Sequence, residues 1–360
     1  VLLFTKLGDS KNLKIQSYLM QNKDLKEYKI KPPSKYKFTK IIDDLYWARL
    51  PLPFRLDHVN IFAINSVEGL VIVDTGLNNF ETMTCWNSII KNFEKEIKVS
   101  KLLISHHHPD HIGLSKFLSE KLNIKVYAPK NEILRAEKII NLSDKEYGQM
   151  LSNKYEEFGL ARKAVLNAKT RGNFYRSMIK ETPFIKGIDR SFFIETEYGK
   201  WNVRFDTGHS PSQLSLYDEV RKIYLCFDFL LPRISPNISV GIEDIENNIL
   251  GKYINYLEDV KNNFDEEWIV FPGHEFPYFD PVKRASSLIN HHENRLDLLY
   301  KSIKIKSINV KTAMDLLFGS IKNDHDLFFA ICETKAHLNL LVNNKKINMK
   351  KINNQIIYCN

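Results

Sequence analysis

The stretch Leu103-Ile104-Ser105-His106-His107-His108-Pro109-Asp110-His111-Ile112-Gly113 carries the strongest pattern in this sequence. It places four histidines and an aspartate within six positions, after a predicted strand at 101–104 and before a predicted helix at 114–122. Burying so many imidazoles beside a carboxylate would be costly without a cation that they bind. His and Asp side chains suit zinc, iron or manganese. The spacing H-x-H-x-D-H therefore predicts a metal site on a loop at the C-terminal end of a strand.

Four further motifs follow strands at other places in the chain. They are Val73-Asp74-Thr75-Gly76, Thr207-Gly208-His209-Ser210-Pro211, Leu225-Cys226-Phe227-Asp228 and Phe271-Pro272-Gly273-His274-Glu275. Together with the histidine loop, and in this order, they make the sequence resemble the metallo-β-lactamase superfamily. The family usually has Gly where this chain has Phe227.

The resemblance implies two divalent metal ions, with zinc as the expected metal and iron or manganese as alternatives. It implies that His106, His108 and His209 hold one ion, that Asp110, His111 and His274 hold the other, and that Asp228 bridges them. A pair of cations lowers the pKa of a bridging water, and Asp110 is the expected acceptor of its proton, so His106, His108 and Asp110 are the predicted catalytic residues. Asp74 is expected to orient the loop through hydrogen bonds behind the ligands, and His107 to lie behind them as well.

The strand and helix patterns predict an α/β fold. We expect a four-layered αββα metallo-β-lactamase sandwich over residues 41–290, preceded by an N-terminal arm at 1–40. A polar, helical block at about 131–188 is expected as an insertion, and a helix is predicted at 80–98. Residues 291–360 carry a helix–helix–hairpin pattern that resembles a small winged-helix domain.

Further similarity points to a bacterial subgroup of the superfamily that resembles hydroxyacylglutathione hydrolase and has a C-terminal winged-helix module. It is carried by Leu50-Pro51-Leu52-Pro53-Phe54, His58-Val59-Asn60, the segment 231–237 and His291-His292-Glu293-Asn294-Arg295. Arg233 and Asn237 of the segment 231–237, and Tyr175 of the helical block, are the candidates for contact with the substrate.

Composition bears on the location of the protein, on its cysteine chemistry and on the charge of its partners. No apolar run approaches the length of a membrane span, and the first residues are too short a run for a secretory signal, so a cytoplasmic location is expected. Cys85, Cys226, Cys332 and Cys359 form no C-x-x-C pair, which predicts neither a disulfide framework nor a thiolate zinc site. The net charge of +9 is compatible with an anionic partner, although the lysines are dispersed.

Hydrolysis of a thioester, such as a hydroxyacylglutathione or an acyl-CoA, is the leading functional hypothesis. The block at 125–200 holds 15 lysines and arginines and 10 acidic residues, which favours a small anionic substrate. A nuclease or phosphodiesterase is the alternative, since residues 300–360 hold 10 lysines and 4 acidic residues, but no aromatic and basic stripe suits nucleic acid. A lactonase or β-lactam hydrolase and a homodimer also remain open.

Overall fold

The structure is a computed structural model that describes residues 25–34, 36–93, 97–241, 248–321 and 323–360. Residues 1–24 of the predicted N-terminal arm lie outside this range. The described part of the arm is attached to the fold, because the Tyr28 N–H donates to the Pro277 carbonyl at 2.9 Å and the Phe279 N–H to that of Lys26 at 2.9 Å.

Seven strands form the first sheet, side by side in chain order. The first four run antiparallel, and the last four are joined by parallel pairing. The strands are β1 (Thr39–Ile42), β2 (Leu45–Pro51), β3 (His58–Ser66), β4 (Gly69–Val73), β5 (Val99–Leu103), β6 (Lys125–Pro129) and β7 (Ile185–Ile188). The helices between them are α1 (Phe80–Lys91), α2 (Pro109–Ile112), α3 (Ser115–Leu122), α4 (Lys130–Ile140), α5 (Asp144–Glu157), α6 (Arg162–Thr170) and α7 (Phe174–Ile179).

Six strands form the second sheet, in the order β13-β12-β11-β10-β9-β8. They are β8 (Phe193–Thr196), β9 (Gly199–Asp206), β10 (Gln213–Asp218), β11 (Ile223–Phe227), β12 (Ile269–Pro272) and β13 (Tyr278–Phe279). Two long helices, α8 (Ile249–Asn263) and α9 (Pro281–Ile305), cover its outer face.

Alternation along the strands produces the layers. On β3, Phe62 and Ile64 belong to the core between the two sheets, whereas Ile61 and Ala63 face the helices of the first layer. The predicted α/β fold, a four-layered sandwich, is confirmed. The four cysteines, all within the described residues, form no disulfide, and three of them are buried.

Two predicted bounds were wrong. The helix expected at 80–98 ends at Lys91, where the Asn92 N–H bonds back to the carbonyls of Ser88 and Ile89. The helical block expected to reach residue 188 stops earlier, because Ile185–Ile188 is strand β7 and pairs with β6. Residues 185–188 form a strand because they pair with β6. Four residues are too few to show the alternation that would predict a strand from the sequence.

The C-terminal part contains β14 (Ile308–Asn309), α10 (Val310–Phe318), α11 (Asp324–Asn343), β15 (Asn348–Ile352) and β16 (Gln355–Cys359), with a small sheet in the order β14-β16-β15. Helix α9 runs without a break through the boundary predicted between residues 290 and 291. Tyr155 of α5 and Ile331 of α11 lie in one hydrophobic cluster, so the insertion and the C-terminal part share a core. None of the described helices has the length and apolar composition needed to cross a lipid bilayer.

Candidate metal centre

The ends of separate strands bring the predicted ligands together. The histidine loop follows β5, Asp228 follows β11, His274 follows β12, and His209 lies between β9 and β10. Loops at the carboxyl ends of strands in α/β folds are common positions for such sites.

Three overlapping groups of side chains are close enough to hold an ion. In each group, one ligand atom from every residue lies within 4.8 Å of the others. The groups are His106, His108 and His209; Asp110, His111 and His274; and His106, His111 and Asp228. Asp228 joins them, since its Oδ1 lies 3.4 Å from His111 Nε2 and its Oδ2 3.5 and 3.3 Å from the Nε2 atoms of His209 and His274.

Hydrogen bonds on the far side of three imidazoles determine which nitrogen faces the centre. His111 Nδ1 donates to Asp74 Oδ2 at 2.8 Å, His209 Nδ1 to the Asn237 carbonyl at 3.0 Å, and His274 Nδ1 to the His58 carbonyl at 2.8 Å. Each bond leaves the lone pair of Nε2 directed inward, as in metal-binding histidines. Asp74 also accepts from Ser105 N–H and Oγ, both at 2.7 Å, and therefore contacts the start of the histidine loop as well as His111.

The three inward nitrogens and the neighbouring carboxylate oxygens lack hydrogen-bond partners among the described residues. They are the Nε2 atoms of His111, His209 and His274, Oδ2 of Asp110, and both carboxylate oxygens of Asp228, all buried. Buried polar atoms without partners are rare in folded proteins and call for an explanation such as an ion. A donor set of five imidazoles and two carboxylates fits divalent transition metals.

Electrostatics keep most of these groups in the forms that bind metal. Burial raises the pKa of Asp110, but His111 and His274 lower it by more, to about 2. Burial likewise raises the pKa of Asp228, and His274 and His111 more than offset this and hold it well below its ordinary value. Burial lowers the pKa of His106 and of His108 well below the ordinary value. Both carboxylates are therefore ionised and both imidazoles neutral at pH 7.

Three backbone positions at the centre favour or require glycine-like geometry. Asp74 and Phe227 both adopt left-handed conformations, with φ of 68° and 46°, which cost energy for residues other than glycine. The left-handed φ at 227 explains why glycine suits this position. A Cβ on Gly273 would lie 2.3 Å from Asp228 Oδ1, so the loop before His274 requires glycine.

Glu132 on α4 was missed by the sequence reasoning. Its buried carboxylate accepts from the His107 N–H at 3.0 Å and from His107 Nδ1 at 2.6 Å, and it also accepts from Ser210 Oγ at 2.7 Å and the Ser212 N–H at 2.5 Å. It thus joins the loop of His106 and His108 to the loop of His209. No sequence signal marked this partner of His107, which lies 25 residues away along the chain.

The three substrate candidates have different positions. Tyr175 and Asn237 line a cavity of about 440 Å³ beside the centre, but both also support ligand loops, because Tyr175 OH donates to the His107 carbonyl at 2.6 Å and Asn237 holds His209. Arg233 is not among the residues that line this cavity. Its Nε donates to Glu275 Oε1 at 2.7 Å, and its side chain is 57% exposed.

The cavity opens onto His108, Asp110 and His209. Its other walls come from the insertion, from α8 and from the beginning of α11. Apolar residues make up much of the wall, and the basic side chains are Arg135, Arg171 and Lys252. A concave, mostly apolar site with a few polar groups is typical of small-molecule binding.

Comparison with known proteins decides the family. A sequence model of the Metallo-beta-lactamase superfamily matches residues 54–274, more than half of the chain. The chain belongs to the metallo-β-lactamase superfamily. It is 22% identical over 306 residues to "Probable metallo-hydrolase YqjP" of Bacillus subtilis (strain 168), a match that covers 83% of this chain and 92% of that protein.

Two crystal structures share the fold of this chain. One is a beta-lactamase domain protein from Burkholderia ambifaria, 23% identical with a TM-score of 0.81, over 94% of this chain and 99% of that one. The other is a metallo-beta-lactamase family protein from Thermus thermophilus, 22% identical with a TM-score of 0.73, over 89% of this chain and 99% of that one. At these identities the likeness establishes the fold alone. The reaction has to be inferred from the side chains of the site.

Proposed function

We propose that this member of the superfamily is a dinuclear metal-dependent hydrolase of small anionic thioesters, of the hydroxyacylglutathione or acyl-CoA type. The cavity beside the histidine cluster carries the proposal. It combines apolar walls with Arg135, Arg171 and Lys252, and a thiol conjugate with an acyl group and a charged carrier offers matching chemistry.

Two divalent cations at these ligands would lower the pKa of a bound water and polarise the substrate carbonyl. The chain supplies the rest of the machinery. Asp110 borders the cavity and its Oδ2 has no hydrogen-bond partner among the described residues, so this oxygen is placed to accept the proton of the attacking water. Asp228 lies between the two ligand groups and is the proposed bridging carboxylate.

The C-terminal part is proposed to be a winged-helix-like module that serves the active site rather than nucleic acid. Two observations support this role. It shares a hydrophobic cluster with the insertion, and residues of α11 line the cavity.

The test is a panel of substrates on the purified chain loaded separately with zinc, iron(II) or manganese. The panel contains S-acylglutathiones, acyl-CoAs, the matching oxygen esters, lactones and an aryl phosphodiester. We expect the highest kcat/KM for anionic thioesters, with loss of turnover after chelation. Phosphodiester turnover that falls steeply with salt, without thioester turnover, would favour the nuclease alternative.

Matched variants separate site effects from general damage. Asp110→Asn removes the proposed proton acceptor and is expected to lower kcat by a factor of about 10² or more. Asp297→Asn, an exposed carboxylate on α9 that pairs with Lys301, is the control and should retain full turnover. Equal activity of the two variants would contradict the role of Asp110.

A further inference from the structure

One wall of the cavity lies where the insertion meets the C-terminal part. Arg171, the residue directly after α6, donates from Nη1 to the Asp324 carbonyl at the start of α11, at 3.1 Å. Its guanidinium lies 5.9 Å from the ring centroids of both Phe174 and Phe328. These three side chains and His325 all line the cavity.

Charge in this wall is unbalanced. Among the described residues that line the cavity, Asp110 is the one acidic side chain, and it belongs to the metal centre. Within the same described part of the chain, Arg171 makes no ion pair with a carboxylate; the Asp324 side chain is instead 3.5 Å from Asn167 Nδ2. A partly buried guanidinium that faces a cavity without a counter-ion favours an anionic ligand.

His325 adds a polar group without adding charge. Its buried Nε2 has no hydrogen-bond partner among the described residues. Burial, and to a lesser extent Arg171, lower the pKa of His325 to about 4, so the imidazole is neutral at pH 7. This nitrogen is therefore available for a hydrogen bond from or to a ligand beside Arg171.

We infer that Arg171 binds an anionic group of the substrate at the end distant from the scissile bond, with Phe174 and Phe328 packed along the adjoining apolar segment. The substrate is then amphipathic: the reacting carbonyl lies at the His and Asp cluster, and a carboxylate or phosphate lies against α11. The inference rests on the proposed function in taking this cavity as the substrate site. It makes the C-terminal part a determinant of specificity.

Calorimetric binding of unreactive ligands to the metal-loaded full chain tests the inference without requiring turnover. The probes are monocarboxylates, α,ω-dicarboxylates and ω-phosphonocarboxylates of four to twelve carbons. At one matching length we expect the doubly anionic ligand to bind about tenfold more tightly than the monocarboxylate, a difference of about 1.4 kcal/mol. Whichever series binds more tightly, the dicarboxylates or the phosphonocarboxylates, shows whether Arg171 prefers a carboxylate or a phosphate-like group.

Variants locate the effect. Arg171→Met should abolish the tenfold preference, and Arg171→Lys should keep part of it. Arg162→Met, an exposed arginine at the other end of the same helix, should leave the preference unchanged. Lack of a preference at every length, or its survival in Arg171→Met, would overturn the inference.

The outcomes also separate this inference from the proposed function. An Arg171-dependent preference without thioester turnover would refute thioester hydrolysis and support the anion site. Thioester turnover without that preference would do the reverse.

Discussion

Replacing Glu132 with glutamine tests how the metal loops are held together. The carboxylate is 1% exposed and accepts four hydrogen bonds, two from His107 and one each from Ser210 and Ser212. Glutamine keeps one acceptor oxygen and turns its amide hydrogens toward the remaining donors. Breaking a buried, hydrogen-bonded charge of this kind costs about 3–5 kcal/mol, so we expect the free energy of unfolding to fall by about 4 kcal/mol.

The loss of unfolding free energy in Glu132→Gln should reach its full size at neutral pH. Burial raises the pKa of Glu132, but the hydrogen bonds from His107, Ser210 and Ser212 lower it by more, so the folded-state pKa lies below the unfolded one. The ionised carboxylate therefore contributes its full stability above the unfolded pKa of about 4.3, and this stability is lost as the pH falls through the folded-state pKa. Wild type and Glu132→Gln should accordingly converge in stability in acid.

The assay is urea unfolding at pH 7, with and without chelator, together with metal titration. Because Glu132 joins the two ligand loops, the variant should also bind metal about 10 to 100 times more weakly. Glu137→Gln, an exposed glutamate on the same helix, is the control and should change neither quantity. A loss below about 1 kcal/mol with unchanged metal affinity would refute the proposed role of Glu132 in joining the loops.

Three further predictions concern single side chains. Asp228→Asn should reduce the metal bound per chain by about half or more, because it removes the carboxylate between the two ligand groups; unchanged elemental analysis would exclude a bridging role. Phe227→Gly should be more stable to urea than Phe227→Ala by about 1 kcal/mol, since only glycine relieves the left-handed φ of 46°; equal stabilities would show that no strain is stored there. Burial, and then Lys154, lower the pKa of Lys335 to about 8, so the unfolded state binds more protons between about pH 8 and 10.5, and stability should rise with pH across that window. Lys335→Met should remove this rise, and an identical pH profile in the variant would contradict the assignment.

The sequence alone determined the family and the candidate ligands that converge. The spacing of His106, His108, Asp110 and His111 is local, and each of the remaining candidate ligands follows a strand that a short stretch of sequence indicates, by alternation in β9 and by continuous apolar runs in β11 and β12. The histidine loop follows β5 of the first sheet, whereas His209, Asp228 and His274 follow strands of the second, so the resemblance to the family, and not the geometry of one sheet, predicted that they meet. The strands and helices that build the layers could be predicted because their patterns lie within short stretches of sequence.

Only the tertiary structure decided what surrounds those ligands. Glu132 and His325 lie in helices and Arg171 directly follows one, with no distinctive spacing, and their partners are brought close by packing between elements far apart in sequence. Arg233 looked equally suited to a substrate and is instead paired with Glu275. The physical reason is that hydrogen bonds and ion pairs between residues far apart in sequence depend on how whole helices and sheets pack. A local pattern of residues does not predict that packing.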